Sequence, residues 1–251
     1  MAYAGLCDKV AVITGASKGI GRAVAERLAE EQMRLVLTSR HGDALEAAAR
    51  ACAERHAEAA TICNDVGSPT AAEEICDLAL ARFGRLDVLI NCAGVVVEAP
   101  LGLMADDEVQ GLVATNVLGV TWMTRAALKP MLKQRSGVII NFSSVLASRP
   151  GRGNAVYAGT KGYVEAFTRA MAAELGRKHI RVNAIAPGVI ETAMSRPVMN
   201  LAGAAILERI GLKRMGTARE VAAVAAFLAS DEAAYIHGAV IPVDGAFLGP
   251  A

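Results

Sequence analysis

Short apolar runs recur along this chain, each bounded by Gly, Pro, Asn or charged residues, and between them lie longer Ala-rich stretches with helical spacing of apolar positions. The runs are KVAVIT (9–14), RLVLTS (34–39), AATIC (59–63), DVLIN (87–91), GVIINFS (137–143), IRVNAIA (180–186) and AVIPVD (239–244). Their β-branched content and their flanking breakers predict seven strands. They are continuous rather than alternating in polarity, as strands buried on both faces are, and the intervening stretches are long enough for helical crossovers. The pattern predicts an α/β fold with a seven-stranded parallel sheet, doubly wound, flanked by helices on both faces. Long helices are expected over 106–133 and 155–178, and another over about 218–230. Only residues 189–217 break the rhythm. Their Met, Pro and Gly content suits a substrate lid inserted after the sixth strand.

Composition narrows the picture. A chain of 251 residues, 53% hydrophobic and 20% charged, can bury a large core, and one domain over 1–251 is the expectation. A formal net charge of +1 argues against nucleic acid or an anionic membrane as the main partner. The cysteines (7, 52, 63, 76 and 92) are odd in number and lack C-x-x-C spacing, which suits reduced thiols and offers no metal site. The opening MAYAGLCDKV lacks a basic region followed by an apolar one, and no apolar run has the length of a membrane span. A cytoplasmic protein is expected.

The first strand runs into TGASKGIGR (14–22). Gly15, Gly19 and Gly21 permit a tight turn and a close backbone approach to phosphate, while the N–H groups opening the next helix attract an anion. The spacing is G-x-x-x-G-x-G, not the commoner G-x-G-x-x-G. The second strand ends in Ser39 and Arg40, where a carboxylate would bind the 2′-hydroxyl of NAD. With Lys18 as a second cation and no acid there, NADP(H) is the expected cofactor. Farther on, YAGTK places Tyr157 and Lys161 four residues apart, on one helix face. A nearby ammonium favours the phenolate, so Lys161 is expected to lower the Tyr157 pKa. Taken alone, the pair also reads as a solvated helix surface.

In order, TGASKGIG, NCAG (91–94), ATNVLG (114–119), NFSS (141–144), YAGTK and RVNAIAPGVIET (181–192) resemble the motif set of the short-chain dehydrogenase/reductases, over nearly the whole chain. The resemblance implies one Rossmann domain and a catalytic group of Asn116, Ser144, Tyr157 and Lys161. Tyr157 would be the general acid, Ser144 would hold the substrate carbonyl oxygen, Lys161 would also bind the nicotinamide ribose, and Asn116 would anchor a water leading to Lys161. It further implies a cofactor site of Gly15, Ser17, Lys18, Gly19, Ile20, Gly21, Ser39 and Arg40, then Asp65 and Val66 at the adenine. Asn91, Ala93 and Gly94 would lie along the ribose, and Pro187, Gly188, Val189 and Thr192 at the carboxamide, with Tyr157 and Lys161 completing the set.

Among relatives the chain looks most like the bacterial 3-oxoacyl-[acyl-carrier-protein] reductases, especially over 214–245. That likeness implies a 3-oxoacyl thioester as substrate, an acyl carrier protein docked on Arg135 and Lys178, and a homotetramer paired through the two long helices. The loop VVVEAPLGLM (95–104) is more apolar than in housekeeping fatty-acid reductases, and VDGAF replaces the usual VDGG. A reductase or dehydrogenase of a small alcohol, sugar or steroid therefore stays open, as does a non-catalytic cofactor-binding scaffold.

Overall fold

The computed structural model describes residues 3–249. All seven strands form where the apolar runs lie: β1 (Val10–Thr14), β2 (Arg34–Ser39), β3 (Ala59–Cys63), β4 (Val88–Asn91), β5 (Gly137–Phe142), β6 (Ile180–Pro187) and β7 (Val240–Val243). Every pairing between neighbours is parallel, in the order β3-β2-β1-β4-β5-β6-β7. Side chains alternate across the sheet, so Ala11 and Ile13 enter one core while Val10 and Val12 enter the other. The first core packs α1 (Gly19–Glu30), α2 (Gly42–Ala53) and α9 (Ala218–Ala229) against the sheet. The second packs α3 (Pro69–Phe83), α5 (Val120–Gln134) and α7 (Ala155–Leu175).

Local chemistry sets the ends of these helices. Ser68 caps α3 by accepting from the Ala71 N–H at 3.4 Å, Pro69 opens its first turn, and Gly84 closes it in the left-handed region with φ 75°. Thr217 and Glu220 form a reciprocal capping box on α9. The helix expected over 106–133 is interrupted. It consists of α4 (Asp106–Val113), a π turn over Ala114–Gly119, and α5. A π turn accommodates an extra residue, and such turns concentrate at functional sites.

Residues 189–217 carry α8 (Arg196–Arg209), which has a non-helical break at Ala202 (φ −140°) and not one buried residue. The segment is tied to its own base by the Ile190–Gly216 bridge. The short α6 (Val145–Ser148) follows β5. Because β2 and β4 leave β1 in opposite directions, a crevice opens at the carboxyl ends of β1 and β4. Ligands of doubly wound sheets bind in such crevices.

Candidate active site

A cleft of about 590 Å³ occupies that crevice. Its floor begins with the glycine turn. Gly15 has φ 67°, and a β-carbon on it would stand 2.9 Å from the Ala93 Cα. A β-carbon on Gly21 would come within 2.3 Å of the Gly15 carbonyl oxygen. Both positions thus require glycine, for turn geometry and for helix–strand packing. The N-cap of α1 is Lys18, whose side chain makes no cap, so the first-turn N–H groups face the cleft without a side-chain acceptor. That cradle fits a pyrophosphate.

Thr14, unremarked in the sequence, locks this floor to the next strand. Its Oγ1 donates to the Ile90 carbonyl at 3.3 Å and accepts from the Cys92 and Ala93 N–H groups at 3.1 and 2.9 Å. A polar residue closing an apolar strand is the signal that would have found it. At the far end of the floor Ser39 Oγ accepts from the His41 N–H at 3.1 Å. Arg40 is exposed, 3.9 Å from Asp65 across the cleft. With Lys18 and His41 it forms a cationic corner that contains no carboxylate but Asp65.

The other end holds the polar groups expected of a catalytic site. Ser144 caps α6, its Oγ accepting from the Leu146 N–H at 3.2 Å. The neighbouring Ser143 bonds the Lys161 carbonyl and Glu165, at 3.2 and 3.0 Å, which leaves Ser144 as the serine beside Tyr157. Burial pushes the Tyr157 phenol above its ordinary value, the Ser144 side chain pulls it back, and the Glu98 carboxylate adds to the rise. The expected lowering by Lys161 is therefore corrected. The Lys161 ammonium donates to the Phe142 carbonyl at 2.8 Å and stands 5.8 Å from the centre of the Tyr157 ring. Burial brings Lys161 down to about 8, so a desolvated and weakened cation replaces the strong neighbour that the spacing suggested.

Asn116 is fully buried in the π turn. Its Oδ1 accepts from the Val95 N–H at 2.9 Å, and its Nδ2 donates to the Val95 carbonyl at 2.9 Å and to Thr160 Oγ1 at 3.1 Å. The amide thus pins the loop after β4. Gly94 lies between it and Lys161, since a β-carbon there would stand 3.5 Å from both Asn116 Oδ1 and Lys161 Nζ.

The remaining expected cofactor residues, Ser17, Gly19, Ile20, Val66, Pro187, Gly188, Val189 and Thr192, all line the cleft. Asn91 does not, and this is a second correction. It is buried below the site, where its Nδ2 donates to Asn141 at 2.9 Å and to Thr124 at 3.2 Å. Strand alternation turns its side chain away from the cleft. The apolar 95–104 loop and the 189–217 segment both reach the cleft, where Val95, Val96, Ile190, Met194 and Val198, joined by Leu146 of α6, make an apolar lobe with Glu98 beside them.

Arg135 and Lys178 lie elsewhere. Arg135 lies two residues before β5 and Lys178 two residues before β6, near the amino ends of the strands. Tyr157 starts α7 and Lys178 follows its end, a separation of about 30 Å at 1.5 Å per residue. Both residues thus lie at the strand ends opposite those that frame this chain's own cleft.

The comparisons agree with this geometry. Residues 15–247 match the family model described as enoyl-(acyl carrier protein) reductase. The chain is 36% identical over 237 residues to the 3-oxoacyl-[acyl-carrier-protein] reductase FabG of Escherichia coli K12, covering 94% of this chain and 96% of that protein. It is 38% identical over 240 residues to FabG of Pseudomonas aeruginosa, covering 96% and 97%. Among solved structures, levodione reductase superposes with a TM-score of 0.91 at 36% identity, over 97% and 99% of the two chains. A provisionally assigned NAD(P)-dependent gluconate 5-dehydrogenase from Beutenbergia cavernae, with NADP bound at low occupancy, gives 0.92 at 33%, over 99% of each chain. Matches of this extent, on a cleft with a phosphate cradle beside a Ser–Tyr–Lys group, make the chain a member of the short-chain dehydrogenase/reductase family, an oxidoreductase that works with a nicotinamide cofactor.

Proposed function

We propose that this protein uses NADPH to reduce a 3-oxoacyl thioester to the 3-hydroxyacyl product. The observation that carries the reading is the convergence of Ser144 and Tyr157 on one end of the cleft, against an apolar lobe suited to an acyl chain. The names of the FabG relatives point to the same substrate class. Held by the glycine turn and the Pro187–Thr192 segment, a reduced nicotinamide would supply the hydride for the carbonyl carbon. Ser144 holds the carbonyl oxygen while charge develops on it. Tyr157, kept protonated at neutral pH by burial, donates its proton to that oxygen. Lys161, held by the Phe142 carbonyl, would bind the ribose side of the cofactor. Asn116 keeps the loop beneath them in place.

Preference for NADPH rests on Lys18, Arg40 and the missing acid at Ser39. Arg40→Asp is expected to lower kcat/KM with NADPH by about ten- to a hundredfold while leaving NADH within about threefold. Wild-type kinetics that favour NADH would overturn the assignment. The 251 residues act as one catalytic domain in this reading, and 189–217 serves as its lid. A homotetramer is supported by the exposed Val113, Leu118 and Leu132 on the α4–α5 face. Docking of an acyl carrier protein on Arg135 and Lys178 is part of the same proposal and rests on their charge and on the likeness to the carrier-protein reductases. The five unpaired cysteines support a cytoplasmic site of action. No helix among the described residues is long and apolar enough to cross a membrane.

A second reading, reduction of a free ketone, is favoured by the likeness to levodione reductase. The deciding experiment is a panel of carrier-bound 3-oxoacyl chains, the matching coenzyme A thioesters and free ketones, followed by NADPH oxidation. Highest kcat/KM on a free ketone would remove the thioester assignment.

A further inference from the structure

The VDGAF stretch (243–247) has no part in the cleft, yet the structure gives it a defined place. Phe247 is buried in a small third core with Val145 and Ile210, and Val189, Ile206, Leu207 and Leu248 pack against them. Val145 is the residue after Ser144 and the first of α6. Ile206 and Leu207 belong to α8, and Ile210 follows its last residue. One ring therefore sits between the helix capped by Ser144 and the end of the segment expected to close on substrate.

Polar contacts hold the ring from both sides. Arg149, which ends α6, donates from Nη1 to the Phe247 carbonyl at 2.9 Å, with its guanidinium 5.8 Å from the ring centre. Arg209, in the last turn of α8, places its guanidinium 4.8 Å from the same ring. Such cation–ring contacts are attractive and are strengthened by burial. The turn itself is built. Asp244 accepts from the Ala246 and Leu248 N–H groups at 3.0 and 2.9 Å, and Gly245 accepts from the Leu212 N–H at 3.1 Å. Ala246 is held at φ 68°, a region that side chains avoid and that persists only where surroundings enforce it. Since α8 has no buried residue of its own, this packing of Ile206, Leu207 and Ile210 anchors its end to the body of the protein.

We propose that Phe247 is a positioning residue that couples the 189–212 segment to the helix capped by Ser144. The ring fixes the direction in which Ser144 presents its hydroxyl, and it sets where α8 returns to the body of the protein. Movement of α8 is therefore felt at Ser144 through one side chain. The inference rests on the proposed roles of Ser144 and of the lid, and its test includes a measurement that needs no substrate.

Phe247→Ala, Phe247→Tyr and Arg149→Met would be compared with wild type by thermal melting, NADPH binding, steady-state kinetics and hydrogen exchange. For Phe247→Ala, kcat should fall about tenfold or more while the NADPH Kd stays within about twofold, because misplacing Ser144 affects the chemical step rather than the phosphate cradle. Exchange should rise together over 144–149 and 196–212 and stay unchanged over 19–30. Phe247→Tyr keeps the ring and should restore kcat to within about twofold. Arg149→Met should reproduce the same pattern more weakly, and it serves should Phe247→Ala fail to fold. A lowered melting temperature with kcat unchanged, or exchange that rises in only one of the two segments, would overturn the coupling. Exchange reads the coupling even in a protein that turns over no tested carbonyl, so the loss of the substrate assignment and the loss of this inference are distinguishable.

Discussion

The two walls of the cleft are built differently. The wall of β1, β4 and the glycine turn is closed by buried hydrogen bonds through Thr14 and by backbone contacts that leave no room for a β-carbon at Gly15 or Gly21. The wall of residues 189–217 has a helix with no buried residue, a break at Ala202, and apolar side chains in water, among them Met194 and Leu201. The cofactor wall is a rigid mould, held by the Thr14 bonds and close backbone packing while the first-turn N–H groups of α1 are left open to an anion. The lid wall has low local stability, which is what an element that must open and close requires. The contrast predicts that changes on the first wall act on cofactor binding or chemistry, whereas changes on the second beyond Val189 and Thr192 act on substrate.

Where the two walls meet, Tyr157→Phe should have the largest effect. Removing the proton donor is expected to lower kcat by about a hundred- to ten-thousandfold, with NADPH affinity nearly unchanged, as read by stopped-flow turnover and cofactor fluorescence. An equal loss in both would mean that the tyrosine acts mainly as a cofactor ligand. Next comes Gly21→Ala on the rigid wall. A β-carbon 2.3 Å from a backbone oxygen forces the turn apart, and cofactor affinity should drop about a hundredfold together with thermal stability. Unchanged affinity would show that the mould is softer than its packing implies.

Lys161→Met gives a smaller effect with a defined pH dependence. Lys161 titrates at about 8 when folded and at 10.5 when free, so between these values the unfolded chain holds the extra proton. Wild-type stability should therefore rise with pH from about 8 to 10.5. At neutral pH the buried ammonium is a liability, and Lys161→Met should stabilise the unliganded protein by about 1 to 3 kcal/mol. That advantage should shrink as pH rises through the same window, in melting experiments without cofactor. A constant difference across pH would place the lysine in contact with water. The smallest effect is expected from Met194→Ala on the lid wall, with KM for an acyl substrate raised about threefold and NADPH affinity unaltered. A change in NADPH affinity would erase the division between the walls.

The same contrast explains what could be read from the chain. All seven strands were legible because their apolar runs are nearly continuous and bounded by breakers, which holds even for the partly exposed edge strands β3 and β7. Most of the cleft was legible because glycines, Ser144 and Tyr157 sit in local motifs at strand ends, where backbone geometry alone decides position. Asn91 was misplaced since its motif marks the strand end but not the side toward which a residue there turns. Four-residue spacing brought Lys161 to the right face of α7, yet could not show that the Phe142 carbonyl and desolvation compete for its charge. The basic residues Arg135 and Lys178 are visible in the chain, whereas their place at the amino ends of β5 and β6 follows only from the direction of the helices before them. Nothing in the composition of 106–133 signals a π turn, because its extra residue alters hydrogen-bond partners rather than residue type.

That turn also governs how this region tolerates changes of length. Each residue of an α-helix advances the azimuth by about 100°, so an inserted or deleted residue ordinarily rotates one half of a helix against the other. At Ala114–Gly119 the chain already carries such an offset, and α4 and α5 are phased to it. Deleting one residue there would let the backbone anneal into regular helix, at little local penalty. The flanking segments would keep their phase, whereas the residues inside the turn would shift, and Asn116 would turn away from the loop it secures. A shortened homologue could thus be well folded, fully helical and inactive. Sequence alignments that place a gap inside 114–119 identify a chain in which the support beneath the active site must be supplied by other residues.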